Sequence, residues 1–427
     1  MNDNKFEMIL QKGAAAMQEN LYLKSITGGL MSLLPVFLIG AIFTLIDGIP
    51  IDAYQDFLVN SGAKAFTGIP AELTNNLIAL YASFIIAYKL ASELKRDGAS
   101  AGVLSLLSFL IVTPLGTLAG EEGGVALPTF WLGATGLFAA MFIAVFVGRV
   151  YCLILDKGWY IKMPAGVPPA IERSFGALVP GFVFVTIMLI LSAIFAATPF
   201  GSVHGFVFGL VQAPLVNIGG SAPAFIIMIL ISHVLWFFGI HGMMIIFSVM
   251  MPVLMPLSME NMAAFQAGQT PPNMIVLGTL FLVVVGGSGA TLGLVMAMMR
   301  AKSARYRTLG KLAIVPGICG INEPIIFGTP MVLNPRFLIP FIGTPTIIGL
   351  LTVILTAIGV LPTLNGIIPP LGVPVVLVGF MMGGWRIAVW QVVTVAISFF
   401  AYYPFFKIAD AEAFAEENAE TGDSLII

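Results

Sequence analysis

A single carboxylate lies in a long apolar stretch in the last third of the chain. Between Lys311 and Arg336 the only charged residue is Glu323, and Asn322 precedes it directly. A carboxylate at membrane depth is costly unless it faces protein or water, so such a residue commonly marks a substrate pathway. A carboxylate and an amide side by side are suited to hydrogen-bonding the hydroxyl groups of a polar substrate. The alternative is a structural acid that caps a turn or pairs with a nearby basic residue.

The sequence around Glu323 predicts a hairpin rather than a continuous membrane helix. Four prolines fall in the stretch, and they are Pro316, Pro324, Pro330 and Pro335. Proline inside a helix removes a hydrogen bond and clashes with the preceding turn. Non-helical backbone at membrane depth is tolerated only where it is buried in protein or lines a wet cavity. We therefore expect a re-entrant hairpin near 312–335 that presents Asn322 and Glu323 to a polar pathway.

A second interruption lies between His233 and Leu257, where glycines and prolines break the apolar run and His241 lies near its middle. Basic residues in segments 149–173 and 300–311 indicate the cytoplasmic side, so an even number of crossings should separate them. The apolar sequence between suits three crossings plus one stretch that enters and turns back. We expect a hairpin near 233–257 with His241 at its tip, since broken helices build substrate sites in transporters. The alternative is a histidine whose ring is satisfied by a backbone carbonyl.

Two tryptophans lie where they could contact a sugar ring. Trp236 precedes His241 in W-F-F-G-I-H-G, and Trp385 follows a pair of glycines. Tryptophan is generally enriched at membrane interfaces, which is the competing interpretation. For His204 and His233 a structural or interfacial role is the leading interpretation.

The composition restricts the class of protein. Of 427 residues, 59% are hydrophobic and only 9% are charged, whereas soluble domains carry about 25% charged residues. The chain is therefore predicted to be an all-α, polytopic membrane protein of about ten transmembrane helices plus two hairpins. With a net charge of -2 and no basic arm, no nucleic-acid partner is expected. Cys152 and Cys319 define neither a metal site nor a disulfide framework.

No motif of a soluble enzyme occurs, which disfavours an ATP-driven pump acting alone. The predicted spans are the charge-free runs 25–46, 73–88, 98–120, 123–148, 174–198, 203–240, 274–299, 337–361 and 387–406. The glycine-rich segment Gly286–Gly289 falls inside one of them, and we interpret it as a site of close helix packing. The basic segment 300–311 is chiefly a determinant of topology.

The basic loops also predict the domain organisation. Residues 1–173 form an N-terminal membrane half that begins with an amphipathic segment, and residues 174–406 form a C-terminal half that carries both hairpins. Residues 407–427 are acidic and low in aromatic residues, which predicts a mobile, solvated tail. Both termini are expected on the cytoplasmic side of the cell membrane.

Three stretches resemble a known family. The sequence G-I-N-E-P-I-I-F-G-T-P-M-V-L-N-P of residues 320–335 resembles the membrane-spanning IIC component of bacterial phosphotransferase-system (PTS) sugar permeases, in its lactose, cellobiose and N,N′-diacetylchitobiose class. M-P-A-G-V-P-P-A-I-E-R-S-F (163–175) and W-F-F-G-I-H-G (236–242) agree with it and occur in the expected order.

The resemblance implies a fold and a set of site residues. It implies ten transmembrane helices, two re-entrant hairpins, a homodimer formed through the N-terminal half, and a C-terminal half that moves across the membrane as an elevator. It implies that Glu323 binds the hydroxyl that becomes phosphorylated and that His241 hydrogen-bonds the sugar. Trp236 and Trp385 would contact the sugar rings, and Asn322 would join the substrate-binding set as the neighbour of Glu323.

The resemblance also implies partners and a reaction. A β-linked disaccharide would be carried across the membrane and phosphorylated at its C6 hydroxyl by phospho-IIB, a cytosolic protein that carries the donor cysteine. The chain would thus be the membrane subunit of a phosphotransferase complex, without a cofactor or metal of its own. An ion-coupled secondary transporter is the alternative, because it too would use hairpins and an intramembrane acid. A passive channel is disfavoured, because no ring of charges is evident.

Overall fold

The structure is a computed structural model, and it describes residues 19–47, 52–117, 124–164, 166–329 and 331–423 together with Lys12 and Ala16. Most of the predicted N-terminal amphipathic segment and the acidic pair Glu121–Glu122 lie outside the described residues. The described part is mostly helical, with one two-stranded antiparallel sheet, β1 (Gly116–Thr117) and β2 (Val125–Ala126).

The helices before residue 220 are α1 (Leu21–Ser32), α2 (Leu34–Asp47), α3 (Asp52–Asn60), α4 (Lys64–Asn75), α5 (Ile78–Glu93), α6 (Gly98–Val112), α7 (Leu137–Asp156), α8 (Pro169–Gly176), α9 (Leu178–Ala196), α10 (Val203–Val207) and α11 (Ala213–Gly219). Two 3-10 turns, Thr129–Trp131 and Ala134–Gly136, precede α7, and a π-helical turn, Phe208–Gln212, joins α10 to α11.

The later helices are α12 (Ala222–Phe237), α13 (Gly242–Gln266), α14 (Thr279–Val283), α15 (Leu292–Met298), α16 (Ala304–Ile318), α17 (Glu323–Gly328), α18 (Pro335–Ala357) and α19 (Val375–Asp423). Helix α19 is broken by non-helical backbone at Gly383 and Gly384. Within the described residues, seven helices are long and apolar enough to cross a membrane, or eight if the bent pair 203–219 and 222–237 forms one span.

The chain packs as two compact units, of which unit A comprises residues 16–219 and 248–269. Its centre is helix α5, which packs against α6 and α7. The helices approach closely because small residues face them: a Cβ on Gly148 of α7 would lie 3.3 Å from the Cα atom of Ala87. Lipid supplies no hydrophobic driving force for helix association, so the close van der Waals packing that small residues permit stabilises such contacts instead.

His204 is buried in unit A. Its Nε2 atom lies 2.9 Å from the hydroxyl of Thr113, and its ring stacks on Trp131 at a centroid distance of 5.3 Å. These contacts are those of a packed structural histidine, in agreement with the interpretation from the sequence.

Among the described residues, unit B comprises 220–247 and 270–423 and contains every predicted site residue. Helix α12 packs against α18, and α15 packs against α16 and α19. Close packing of α12 and α18 is visible at Gly349, where an added Cβ would lie 2.7 Å from a methyl carbon of Ile229. A buried cluster that includes Trp236, Ile325 and Tyr402 forms the apolar centre around which these elements meet.

Two expectations for unit B were wrong. The predicted span 274–299 is not one helix, because α14 ends at Val283 and α15 begins only at Leu292. The glycine-rich segment therefore lies in non-helical backbone and not in a packed helix. A charge-free apolar run does not distinguish a continuous helix from one broken by glycine, since both bury the same side chains.

The acidic tail is not a mobile end as far as residue 423, because helix α19 continues to Asp423. The carboxylate of Asp410 accepts hydrogen bonds from the backbone N–H groups of Lys302 and Ser303, at 2.8 and 2.9 Å. Glu417 accepts the next two backbone N–H groups of the same segment. These donors lie at and just before the start of helix α16, where backbone N–H groups have no helical partner. The acidic residues therefore fold against the basic segment and stabilise it.

The remaining differences are smaller. Pro252 and Pro256 lie inside helix α13 and do not end it. The second predicted span begins later, at Ile78, and is preceded by the separate helix α4. The packing units do not test the predicted functional boundary at residue 173, which stays a prediction.

Candidate functional site

Glu323 lies at a reversal of the chain between α16 and α17. Gly328, at the end of α17, packs against the side chain of Leu309 in the first half of α16, so the two helices run back along each other as a hairpin. Pro324 occupies the first turn of α17, a position where proline suits a helix start. Ile325 is buried whereas Glu323 is exposed. The first turn of the short helix thus points the carboxylate away from the apolar centre.

Asn322, the neighbour of Glu323, has a different environment. Its side chain is buried, and its Nδ2 atom donates to the carbonyl oxygen of Ser288 at 2.6 Å and to the hydroxyl of Thr291 at 3.3 Å. Both amide hydrogens are therefore engaged with the non-helical segment between α14 and α15.

That segment, residues 284–291, was not predicted as part of the site. All three of its glycines have φ between +78° and +95°, in the region that favours glycine. Backbone polar groups that are not used in a helix must find other partners when they are buried. Thr291 supplies one of them, because its hydroxyl donates to the carbonyl oxygen of Gly286 at 2.8 Å. The sequence showed only the cluster of glycines, which is compatible with both helix packing and a broken helix.

Trp236 and His241 form a second polar group at the turn between α12 and α13. Their ring centroids are 4.5 Å apart, with the planes tilted by 49°. The Nδ1 atom of His241 accepts the backbone N–H of Met244 at 3.3 Å, which assigns the proton to Nε2. That Nε2–H group is the donor with which His241 can reach a substrate. Trp236 is buried, so it fixes the orientation of the imidazole through their ring contact.

The turn between α12 and α13 lies against residues 332–333, which follow α17 in unit B. The backbone N–H of Leu333 donates to the carbonyl oxygen of Phe237 at 2.9 Å. A Cβ on Gly239 would lie 3.2 Å from a methyl carbon of Val332. The carboxylate of Glu323 also lies within electrostatic range of His241. The structure therefore brings together four predicted site residues: Asn322, Glu323, His241 and Trp236.

Trp385 lies directly after the break in α19 and is 66% exposed. The guanidinium group of Arg386 lies 5.7 Å from its ring centroid. Among the described residues it makes no ring contact with Trp236 or His241. Its predicted contact with a sugar ring stays a prediction.

Within the part of the chain that the structure describes, no group of three or more His, Cys, Asp or Glu side chains is arranged to hold a metal ion. The two turns offer a carboxylate acceptor, an imidazole N–H donor and aromatic rings.

Comparison with known proteins assigns the family. A family model described as "Phosphotransferase system, EIIC" matches residues 27–345. The chain belongs to the EIIC family of the phosphotransferase system. This result confirms the resemblance drawn from the three sequence motifs. With its long apolar helices, this EIIC chain is a multi-pass membrane protein.

Individual EIIC proteins match over nearly the whole chain. The lichenan permease IIC component of Bacillus subtilis (strain 168) is 37% identical over 97% of this chain and 96% of its own length. The cellobiose-specific EIIC component of Geobacillus stearothermophilus is 37% identical over 95% of this chain and 94% of its own length. A lactose-specific EIICB component of Staphylococcus aureus (strain N315) is 30% identical, and the match covers 94% of this chain and 71% of that protein.

A solved structure shows the same fold. The crystal structure of the transporter ChbC, the IIC component from the N,N′-diacetylchitobiose-specific phosphotransferase system, superimposes with a TM-score of 0.89 at 38% sequence identity. The match covers 96% of this chain and 98% of that one. The chain therefore has the EIIC fold of ChbC.

Proposed function

We propose that this EIIC protein carries a β-linked disaccharide of the cellobiose or diacetylchitobiose type across the cell membrane and presents its C6 hydroxyl to phospho-IIB. The observation that carries the proposal is the exposed carboxylate of Glu323 at a hairpin tip, within electrostatic range of His241. The relatives named for lichenan, cellobiose and diacetylchitobiose support the sugar class.

The sugar binds through a donor and an acceptor on opposite turns. The carboxylate of Glu323 accepts the hydroxyl hydrogen, and the Nε2–H group of His241 donates to a second oxygen of the sugar. Two such groups fix the orientation of a hydroxyl more tightly than one. The exposed indole of Trp385 packs on the apolar face of a sugar ring, whereas the buried Trp236 acts mainly through His241.

Phosphorylation follows from this orientation. The phosphoryl group passes from the phosphocysteine of the cytosolic IIB protein to the C6 oxygen, the bond between phosphorus and sulfur breaks, and Glu323 accepts the hydroxyl proton. Phosphoryl transfer depends mainly on positioning and electrostatics, which a single well-placed carboxylate can provide. The sugar phosphate is charged, which weakens its binding for the return step and traps it inside the cell. Membership in the EIIC family favours this energy source over an ion gradient.

The protein works as a homodimer formed through its N-terminal half, with both termini in the cytoplasm. Ten transmembrane helices and two re-entrant hairpins surround the path, and residues 174–406 move as an elevator between the membrane faces. Sulfhydryl labelling of single cysteines placed at each turn, in intact and permeabilised cells, tests this topology.

The test of the proposed function is Glu323→Gln in purified protein supplied with phospho-IIB and cellobiose, diacetylchitobiose, lactose or maltose. The amide has nearly the same shape but accepts a proton poorly, so the phosphorylation rate should fall by about 10²–10⁴-fold, the usual size of a general-base contribution. Glu416→Gln, at an exposed position of the tail, is the matched control and should phosphorylate normally.

Calorimetry of sugar binding identifies the substrate and tests whether Glu323 belongs to the binding site. One β-linked sugar should bind selectively to the wild type and more weakly to the Glu323→Gln protein. Wild-type phosphorylation by Glu323→Gln would show that the proposed role is wrong. Sugar uptake that needs no phospho-IIB and stops with a protonophore would instead identify an ion-coupled transporter.

A further inference from the structure

The non-helical segment 284–291 is held by side chains from elements distant in sequence. It leaves backbone carbonyl groups without helical partners in the interior of unit B. An unsatisfied buried carbonyl is costly, and more so in a protein surrounded by lipid. The groups that satisfy these carbonyls therefore determine which conformation the segment adopts.

Two of these groups come from the last helix, α19. The hydroxyl of Tyr402 donates to the carbonyl oxygen of Gly289 at 2.7 Å. The hydroxyl of Ser398 donates to the carbonyl oxygen of Ala290 and accepts the backbone N–H of Gly293 at 3.0 Å. Both side chains are fully buried. They lie four residues apart, so they face the segment from the same side of α19.

A third group comes from the turn that carries Glu323. The amide of Asn322 donates to the carbonyl oxygen of Ser288, one residue before the carbonyl that Tyr402 holds. Gly287 lies against the same amide so closely that an added Cβ would be 2.4 Å from the Cγ atom of Asn322. Asn322 thus has its donors committed to the segment and little freedom to move.

We infer that Tyr402 and Ser398 are positioning residues for Glu323, and that Asn322 transmits their effect rather than binding the sugar. The contacts run from α19 to the carbonyls of 289 and 290, through Ser288 to Asn322, and along one peptide bond to Glu323. The inference rests on the proposed function, because it assumes that Glu323 holds the sugar hydroxyl. It adds side chains from the last helix to the machinery that orients this acid.

The first measurement is sugar binding by Tyr402→Phe in the full-length protein, using the sugar that binds the wild type. The substitution removes one hydroxyl and keeps the ring. Loss of one neutral hydrogen bond should weaken sugar binding by about two- to tenfold. Tyr403→Phe is the matched control: it is the next residue, its ring stacks on Phe399, and it is 45% exposed. This control should bind sugar as the wild type does.

A double-mutant cycle with Glu323→Gln separates positioning from a general loss of stability. If Tyr402 acts through Glu323, the double variant should bind sugar no more weakly than Glu323→Gln alone, because interacting residues are not additive. Effects of Tyr402→Phe that are additive with those of Glu323→Gln, or wild-type binding by Tyr402→Phe, would overturn the positioning role while leaving the proposed function intact.

Wild-type binding and phosphorylation by Glu323→Gln would overturn the proposed function and this inference with it. If Tyr402→Phe does not yield folded protein, Ser398→Ala is taken through the same cycle, since its hydroxyl holds the adjacent carbonyl. Additive effects of Ser398→Ala and Glu323→Gln on sugar binding would then overturn the positioning role.

Discussion

Substituting Gly287 with alanine tests how tightly the site depends on the segment 284–291. Gly287 has a φ of +95°, a conformation that alanine rarely adopts. An added Cβ would lie 2.4 Å from the Cγ atom and 2.6 Å from the Oδ1 atom of Asn322. Non-bonded carbon atoms do not approach so closely, so either the backbone at 287 or the amide of Asn322 has to move.

The expected loss of folding free energy in Gly287→Ala has two parts. Holding a non-glycine residue in this backbone region costs about 1–3 kcal/mol. Displacing the Asn322 amide would break its hydrogen bond to the carbonyl of Ser288 and leave that buried carbonyl unpaired, at about 1–3 kcal/mol more. Together the two parts come to about 2–6 kcal/mol, which is a large share of the stability of a typical protein.

Gly359→Ala is the matched control for the backbone part. Gly359 has a φ of +78°, but an added Cβ there would have no atom within 4 Å. It should therefore cost about 1–3 kcal/mol and leave the site untouched. Thermal unfolding in detergent and sugar calorimetry are measured on both variants. We expect Gly287→Ala to unfold at a lower temperature than Gly359→Ala and to bind sugar more weakly than the wild type, whereas Gly359→Ala keeps wild-type affinity.

Equal loss of thermal stability in the two variants, with wild-type sugar affinity in both, would refute this reasoning. It would mean that the Asn322 amide is free to move without consequence for the site. Full stability of Gly287→Ala would further mean that the segment adopts another backbone conformation at no cost.

Two further predictions concern the frame around the site. Asp410→Asn should destabilise the protein by about 1.5–3 kcal/mol, because a carboxylate that accepts the backbone N–H groups of residues 302–303 is replaced by an amide with one acceptor oxygen. Chemical unfolding should show this loss, whereas Glu416→Gln, at an exposed tail position, should unfold like the wild type. Thr352→Val should cost about 1–3 kcal/mol, because it removes the acceptor that lies 3.0 Å from the buried indole nitrogen of Trp390. An unchanged unfolding midpoint in the Thr352→Val protein would show that the indole finds another acceptor.

The sequence was sufficient for the turns that carry the site. Proline directly after Glu323 and glycines on both sides of His241 limit where a helix can continue. A lone acid and a histidine at these breaks are costly in lipid unless they have polar surroundings. Local residue types therefore indicated both turns, although no local pattern could show that Leu333, after α17, would donate a hydrogen bond to Phe237 at the end of α12.

The segment 284–291 could not be predicted in the same way. Its residues are as apolar and as free of charge as those of a continuous helix. Hydropathy measures only how apolar a stretch is, so it does not show where the backbone leaves the helix. The backbone can leave the helix there because the hydroxyls of Tyr402 and Ser398 donate hydrogen bonds to its carbonyl oxygens, in place of helical N–H groups. These residues lie more than a hundred positions away in the chain, so no window of sequence contains both the break and its cause.

The acidic tail was predicted to be mobile for a similar reason. Its composition alone is that of a solvated end, with many acids and few aromatic residues. The prediction failed because the start of α16 leaves backbone N–H groups that attract carboxylates. The carboxylates of Asp410 and Glu417 accept hydrogen bonds from these N–H groups, and the helix that carries them is thereby held in place.

The contrast between Asn322 and Glu323 separates positioning from binding at this site. The two residues are adjacent and polar, and both were expected to touch the sugar. The amide is buried with its donors committed to Ser288 and Thr291, whereas the carboxylate is exposed. An amide whose donors are already engaged cannot offer them to a substrate without disturbing the backbone that it holds. We therefore propose that the carboxylate, rather than the amide, binds the sugar hydroxyl and accepts its proton.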